Sequence, residues 1–162
     1  MERRICKGIC ILYNIYFPNG QKDETRLKYK LDFYDDLLPI INEQVESGSN
    51  VIVAGDWNTA HYPIDLARPK ENVKTSGFMP IEREKLDDYV NDGWTDTFRL
   101  FNNEPEKYSW WSYRMGARAR NVGWRIDYFF VNSDFSDLCK NADIHQDVMG
   151  SDHCPVSLEL DL

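Results

Sequence analysis

Asp56 and Asn58 stand two residues apart, just after the apolar run NVIVA at 50–54. In an extended segment that spacing points both side chains the same way. The carboxylate can bind a hard cation or take a proton from water, and the amide can donate to a developing oxyanion. The pair equally suits a plain turn, because Asp and Asn bond their own backbone. Asp127 lies in the run RIDYFFV at 125–131, where an acid is costly to bury without a partner. A cation, a metal or a histidine would serve, and so would a structural salt bridge. Ser151-Asp152-His153-Cys154-Pro155 puts a carboxylate beside an imidazole. Neighbouring side chains in an extended segment point apart, so these two should act on different partners. An imidazole held by a buried carboxylate can work as base, acid or phosphate ligand. These acids with one Asn and one His, and no candidate Cys or Ser nucleophile, fit metal-assisted hydrolysis by water better than covalent catalysis. His61 and His145 have no such company and read as structural.

The elements that must position these residues can be read from periodicity. Residues 9–16, ICILYNIY, read as a buried strand followed by a turn at Pro18-Asn19-Gly20. Leu27, Leu31, Tyr34, Leu38, Ile41 and Val45 recur at helical spacing and predict a helix over roughly 24–46. Pro39 predicts a kink or break in it, and Gly48 its end. Residues 50–54 form a short strand running into Gly55-Asp56-Trp57-Asn58. An irregular stretch spans 59–79. A helix over 80–91 starts at Pro80 and ends by Gly93. Residues 95–101 add a helical turn. Residues 108–113 and 125–132 read as strands flanking a basic loop, 142–147 as another strand, and 155–162 as a half-buried terminal strand. The class is α/β or α+β with a mixed sheet. The candidate residues fall at strand ends, the usual rim for a site.

The chain has 162 residues, 42% of them apolar and 14% aromatic, which suits one domain with a real core and excludes a disordered chain. No apolar run could span a bilayer, so no membrane partner is expected. The N-terminus lacks the apolar stretch of a signal peptide, and a cytoplasmic location is the default. Cys6, Cys10, Cys139 and Cys154 have neither C-x-x-C nor zinc spacing and read as buried or half-buried thiols. The net charge of −8 disfavours nucleic acid at long range. Against that, residues 114–125 carry Arg114, Arg118, Arg120 and Arg125 and no acid, a candidate phosphate-contact surface. The alternative is a solvated loop whose arginines pair with acids elsewhere.

Four stretches occur in order: Tyr16-Phe17-Pro18-Asn19-Gly20, Gly55-Asp56-Trp57-Asn58, NVGWRIDY at 121–128 and Ser151-Asp152-His153-Cys154-Pro155. With the linking text IDLARPK at 64–70 and SGFMP at 76–80, they resemble the exonuclease III family of AP endonucleases, within the wider endonuclease/exonuclease/phosphatase superfamily. The resemblance runs from about residue 9 to the C-terminus, leaving 1–8 as a non-matching segment of a single partial domain, 1–162. It implies a mixed-sheet portion of a four-layer α/β sandwich. It implies hydrolysis of double-stranded DNA 5′ to abasic sites, often with 3′-end trimming, using Mg²⁺ or Mn²⁺. Carried across residue by residue, it assigns Asp56 to the attacking water and Asn58 to the transition state. Tyr16 and Asn19 would bond the phosphate, Asp127 would orient His153, and His153 would contact the scissile phosphate. Asp152, with Asp56 and Asn58, would lie at the metal. Trp110, Trp124 and Ile126 would receive the flipped-out sugar, and Arg26, Arg118 and Arg120 would contact the DNA backbone.

Family members carry an N-terminal half that supplies a further Asn and the principal metal-binding Glu. Nothing before Tyr16 replaces them here. The resemblance therefore implies a chain that is weak or inactive alone. A non-catalytic DNA-binding fragment and a phosphatase of the same superfamily are the alternatives, and the pocket aromatics speak against the phosphatase. The strands at 9–16 and 155–162 are expected to lose their pairing partners, which predicts a homodimer or association with an N-terminal half.

Overall fold

The computed structural model describes residues 10–162. Cys6 and the segment 1–8 lie outside the described residues. Strand β1 (Cys10–Asn14) leads through the Pro18 turn to helix α1 (Glu24–Glu46), then strand β2 (Asn50–Asp56). A short helix α2 (Pro69–Asn72) interrupts the irregular stretch. Helix α3 (Pro80–Asn91), strand β3 (Trp94–Asp96) and helix α4 (Thr97–Phe101) follow. Strand β4 (Asp127–Asn132) and the pair β5 (Cys139–Ile144) and β6 (Val156–Leu160) complete the order.

Helix α1 starts where Asp23 accepts a hydrogen bond from the Arg26 amide and ends before Gly48, whose φ of +91° favours glycine. The break expected at Pro39 does not occur; α1 is one element through it. Pro39 and Asp35, four residues before it, are both on the exposed face, so water can take the carbonyl that proline leaves unbonded.

The main sheet has the order β1-β2-β4-β3, with β1 parallel to β2 and the other pairs antiparallel. Helices α1 and α3 cover one face, where Tyr34, Ile41, Val51, Val53, Trp57, Leu86, Tyr89 and Phe130 form the main core. On the other face, Ile52, Val131 and Phe135 pack against Leu158 and Leu160 of the β5–β6 pair. Two layers of secondary structure thus cover a mixed sheet, consistent with the α/β expectation.

Further expectations need correction. Strand β1 does not lose its pairing: it is hydrogen bonded to β2 from Cys10 to Asn14. Nor is it buried on both faces. Ile11 and Tyr13 pack toward the core, whereas Cys10 is exposed and Leu12 is 59% exposed. Strand β6 likewise has β5 as a partner. Residues 108–113 are not a strand but make isolated bridges, Trp110 to Trp124 and Trp110 to His153. The strand expected at 142–147 begins earlier, at Cys139.

Candidate active site

Asp56 ends β2, opposite Asp127 at the start of β4. Gly55 brings a third segment to this corner. Its φ is +132°, and a Cβ there would lie 2.0 Å from the Ile15 carbonyl oxygen, so only glycine admits the chain at 15–17 so closely. The amides of Ile15 and Phe17 bond the carbonyls of Ala54 and Asp56, which carries Tyr16 to the rim with 70% of its surface exposed.

Asn58 does not continue the strand. Its φ is +52°, and its amide N–H donates to Asp56 Oδ1 at 2.8 Å, so the turn suggested by composition forms. The turn still brings the two side chains together: Asn58 Nδ2 lies 3.2 Å from Asp56 Oδ2 and 2.9 Å from the Phe17 carbonyl. Asn19 Nδ2 donates to Asn58 Oδ1 at 3.1 Å. Arg26 lies beside it, its Nε donating to the Asn19 carbonyl.

Sequence reasoning missed the groups that lock this turn. Lys30 and Glu82 are fully buried and paired at 2.7 Å, and Lys30 Nζ donates to the Asn58 carbonyl at 2.7 Å. Glu82 in turn accepts from the amides of Gly77 and Met79 and from the Ser76 hydroxyl. Tyr34 OH donates to the Trp57 carbonyl. The available signal was a lysine on the apolar stripe of α1, between Leu27 and Tyr34. A buried ammonium is costly unless paired, so such a lysine must have a fixed acceptor.

Asp127 finds the histidine partner its burial demands. Its Oδ2 lies 2.9 Å from His153 Nδ1, and His153 Nε2 lies 3.9 Å from Asp56 Oδ2. The Asp127 and Ile126 amides both donate to Ser109 Oγ, itself fully buried. Burial and then the Asp127 charge push Asp56 up to about 6, against the Asn58 amide, His153 and Lys30. Burial, the largest single influence, pulls the His153 pKa down, but the bond to Asp127 together with the charges of Asp127, Asp56 and Asp152 makes the net direction upward. A carboxyl poised near neutrality can take a proton from water, and an imidazolium fixed at Nδ1 presents Nε2–H to an anion. Asp152 points elsewhere, as its position beside His153 predicts: its Oδ2 accepts from Trp110 Nε1 at 3.1 Å. Burial raises the Asp152 carboxyl, yet that bond leads a net shift below the usual range.

Tyr16, Asn19, Asp56, Asn58, Asp152 and His153 line the polar side of one cavity of about 680 Å³; Asp127 and Arg26 are not among its lining residues. Its apolar side is Trp110, Trp124 and Ile126, with the two indoles edge to face, centroids 6.5 Å apart. Gly77 lies under Trp124, where a Cβ would come within 3.1 Å of the ring.

The arginines separate into two groups. Arg125 is fully buried, bonded to Asp65 at 2.8 Å and to Asp96 at 2.6 Å, and forms no part of a DNA surface. Arg118 departs from its expected role as well. Its guanidinium donates to the carbonyls of Ser151, Gln146 and Val148 and stacks over Trp111. Arg114 and Arg120 are exposed and line the cavity. His61 and His145 are structural in position, against Asp87 and Ser157.

The all-oxygen donors suit a hard divalent cation, and the crowding of Asp56 and Asp127 leaves negative charge for one to offset. Among the described residues no group of three or more His, Cys, Asp or Glu could hold a metal ion.

Residues 3–153 match the Endonuclease/Exonuclease/phosphatase family. The chain is 43% identical to an exodeoxyribonuclease of Bacillus subtilis over 149 residues, covering 91% of this chain and 59% of that protein. It is 40% identical to a DNA-(apurinic or apyrimidinic site) endonuclease of Dictyostelium discoideum over 154 residues, 93% of this chain and 43% of that one. A solved AP endonuclease from Leishmania major superposes with a TM-score of 0.85 at 32% identity, covering 92% of this chain and 49% of that one. This chain therefore spans about half the length of the curated relatives it matches. Since the match covers almost the whole of the chain, and Asp56, Asn58, Asp152 and His153 share one cavity, the chain belongs to the Endonuclease/Exonuclease/phosphatase family.

Proposed function

We propose that this chain forms the substrate-facing part of a metal-dependent phosphodiesterase that hydrolyses double-stranded DNA 5′ to abasic sites, with 3′-end trimming as a second activity. One observation carries the reading: the polar groups Asp56, Asn58, Asn19, Tyr16 and His153 share their cavity with an apolar seat of Trp110, Trp124 and Ile126. A charged phosphodiester beside a base-free sugar needs that juxtaposition. The relatives' names, exodeoxyribonuclease and AP endonuclease, agree with DNA as the substrate class.

In this reading Asp56 takes the proton of the attacking water. Asn58, Asn19 and Tyr16 bond phosphate oxygens. Asp127 holds His153 in the orientation that presents Nε2 to the scissile phosphate. Arg26, Arg114 and Arg120 bear on the DNA backbone. Mg²⁺ or Mn²⁺ beside Asp152, Asp56 and Asn58 would polarise the phosphate and lower the pKa of bound water.

Incision of an abasic duplex by the pure chain in Mg²⁺ or Mn²⁺ tests this. The rate should fall far below that of the Bacillus subtilis relative, because no group of three or more His, Cys, Asp or Glu among the described residues could hold the cation. Asp56→Asn and His153→Ala should each remove nearly all that remains. Near-normal incision would refute the incomplete site. No incision by the wild type, with abasic preference in binding retained, would favour a non-catalytic DNA-binding unit.

A further inference from the structure

Arg68 is held in a backbone conformation that its own type does not favour. Its φ and ψ are +57° and +54°, the left-handed region, and Pro69 follows it. Left-handed backbone suits Gly or Asn, and a proline pushes the residue before it toward extended backbone. The neighbouring chain enforces the conformation. The Ala67 amide donates to the Gly123 carbonyl at 2.9 Å, and Leu66 bridges to Trp124. The Arg68 carbonyl accepts from the Glu71 amide at 3.1 Å and from Asn72 Nδ2 at 3.0 Å. Arg68 is thereby fixed beside the aromatic wall, on the rim of the cavity it lines.

Strain of this kind gathers at ligand clamps. The side chain gives the fold little in return. It is 53% exposed, and its sole ion pair among the described residues is with Glu71, itself 70% exposed, at 3.8 Å. An exposed pair of that length adds little to stability. Glu71 also lines the cavity. The other two acids of that lining are occupied, Asp56 by the Asn58 amide and Asp152 by Trp110 Nε1. Glu71 instead stands where it contends with any incoming anion for the Arg68 guanidinium, whose paired N–H donors match a phosphate.

We propose that Arg68 is a contact to the phosphodiester backbone of DNA and that Glu71 is its internal competitor. A DNA phosphate takes over the guanidinium, and Glu71 turns to solvent. This contact lies on the segment joined to Trp124, apart from the 114–120 loop that carries Arg114 and Arg120. Glu71 thus holds DNA affinity below what the arginine alone would give. The proposal rests on the reading of the cavity as a DNA site.

The test titrates chain 1–162, Arg68→Gln, Glu71→Gln and the double variant with a short intact duplex in EDTA over a series of salt concentrations. Arg68→Gln should weaken binding and flatten the slope of log K against log salt by about 0.9, one phosphate contact. Glu71→Gln should tighten binding about two- to fivefold, the span of an exposed pair's strength. The double variant should bind like Arg68→Gln, because a competitor without its arginine has nothing to withhold. Arg68→Asn, which suits the left-handed backbone, should unfold at a higher urea concentration than the wild type and still lose the contact. A residue kept for the fold would lose stability instead. An unchanged slope in Arg68→Gln, or a Glu71→Gln gain that persists in full in the double variant, would overturn the proposal. A wild type without abasic preference would refute the sugar seat, and the slopes on intact duplex would still decide Arg68. A wild type that binds neither duplex would refute both.

Discussion

Asp56 and Asp127 face one another across the β2–β4 pair, two carboxylates at the half-buried end of one sheet. Like charges so placed destabilise the fold they belong to, and the fold keeps them apart in role. Asp127 spends its charge on His153, and burial with the Asp127 charge pushes Asp56 up to about 6.

Asp56→Asn should therefore stabilise the metal-free protein at pH 7.5. The amide oxygen can still accept from the Asn58 N–H, and no charge remains to be desolvated or repelled by Asp127. A shift from 3.8 to about 6 sets the scale, a gain of about 1–3 kcal/mol. Urea denaturation in EDTA measures it. A variant no more stable than the wild type would mean that Asp56 lies relaxed in its place.

Arg118 and Arg120 should give opposite phenotypes. Arg120→Gln should flatten the dependence of log K on log salt by about one contact and leave stability unchanged. Arg118→Gln should leave that slope alone and cost about 1–3 kcal/mol, because it strips donors from three carbonyls. Reversed phenotypes would put the Arg118 side chain on DNA.

Much of the site was legible because its residues sit where strands end, and strand ends follow from apolar runs and glycines. Helix α1 matched its periodicity over 24–46, and α3 matched Pro80 and Gly93. What stayed hidden was pairing across long separations. Nothing local marks Arg125 as the partner of Asp65, 60 residues away, so a run of four arginines looked like one surface. Lys30 and Glu82 were hidden for the same reason. The exposed side of β1 was misread because Ile9 to Tyr13 is uniformly apolar, and periodicity is silent in a uniform run.

That exposed side is where a partner strand or a second copy should add. Sedimentation should show concentration-dependent association, and Leu12→Glu should weaken it about tenfold or more without unfolding the core. Ile11 packs against the core and would be a poorer probe. A compact monomer at high concentration, with β1 amides protected from exchange, would argue against association.

His61 should make the fold acid-sensitive. It is 1% exposed, its Nε2 is 2.8 Å from Asp87, and burial holds its pKa below the ordinary 6.5 despite that acid. As pH falls through 6.5 the unfolded chain gains a proton before the folded chain does, so stability drops toward acid and is fully present above 6.5. Comparing urea midpoints at pH 5 and 7.5, His61→Gln should show a smaller acid loss than the wild type. Identical losses would assign the acid sensitivity to other groups.

The claim that the cavity seats a base-free sugar beside its phosphate is tested most directly by binding. Chain 1–162 is titrated in EDTA against two duplexes that differ only in one abasic site. The account predicts tighter binding to the abasic duplex, and loss of that preference in Trp124→Ala with intact-duplex affinity largely kept. Equal affinity of the wild type for the two duplexes, or equal loss on both in Trp124→Ala, would contradict it.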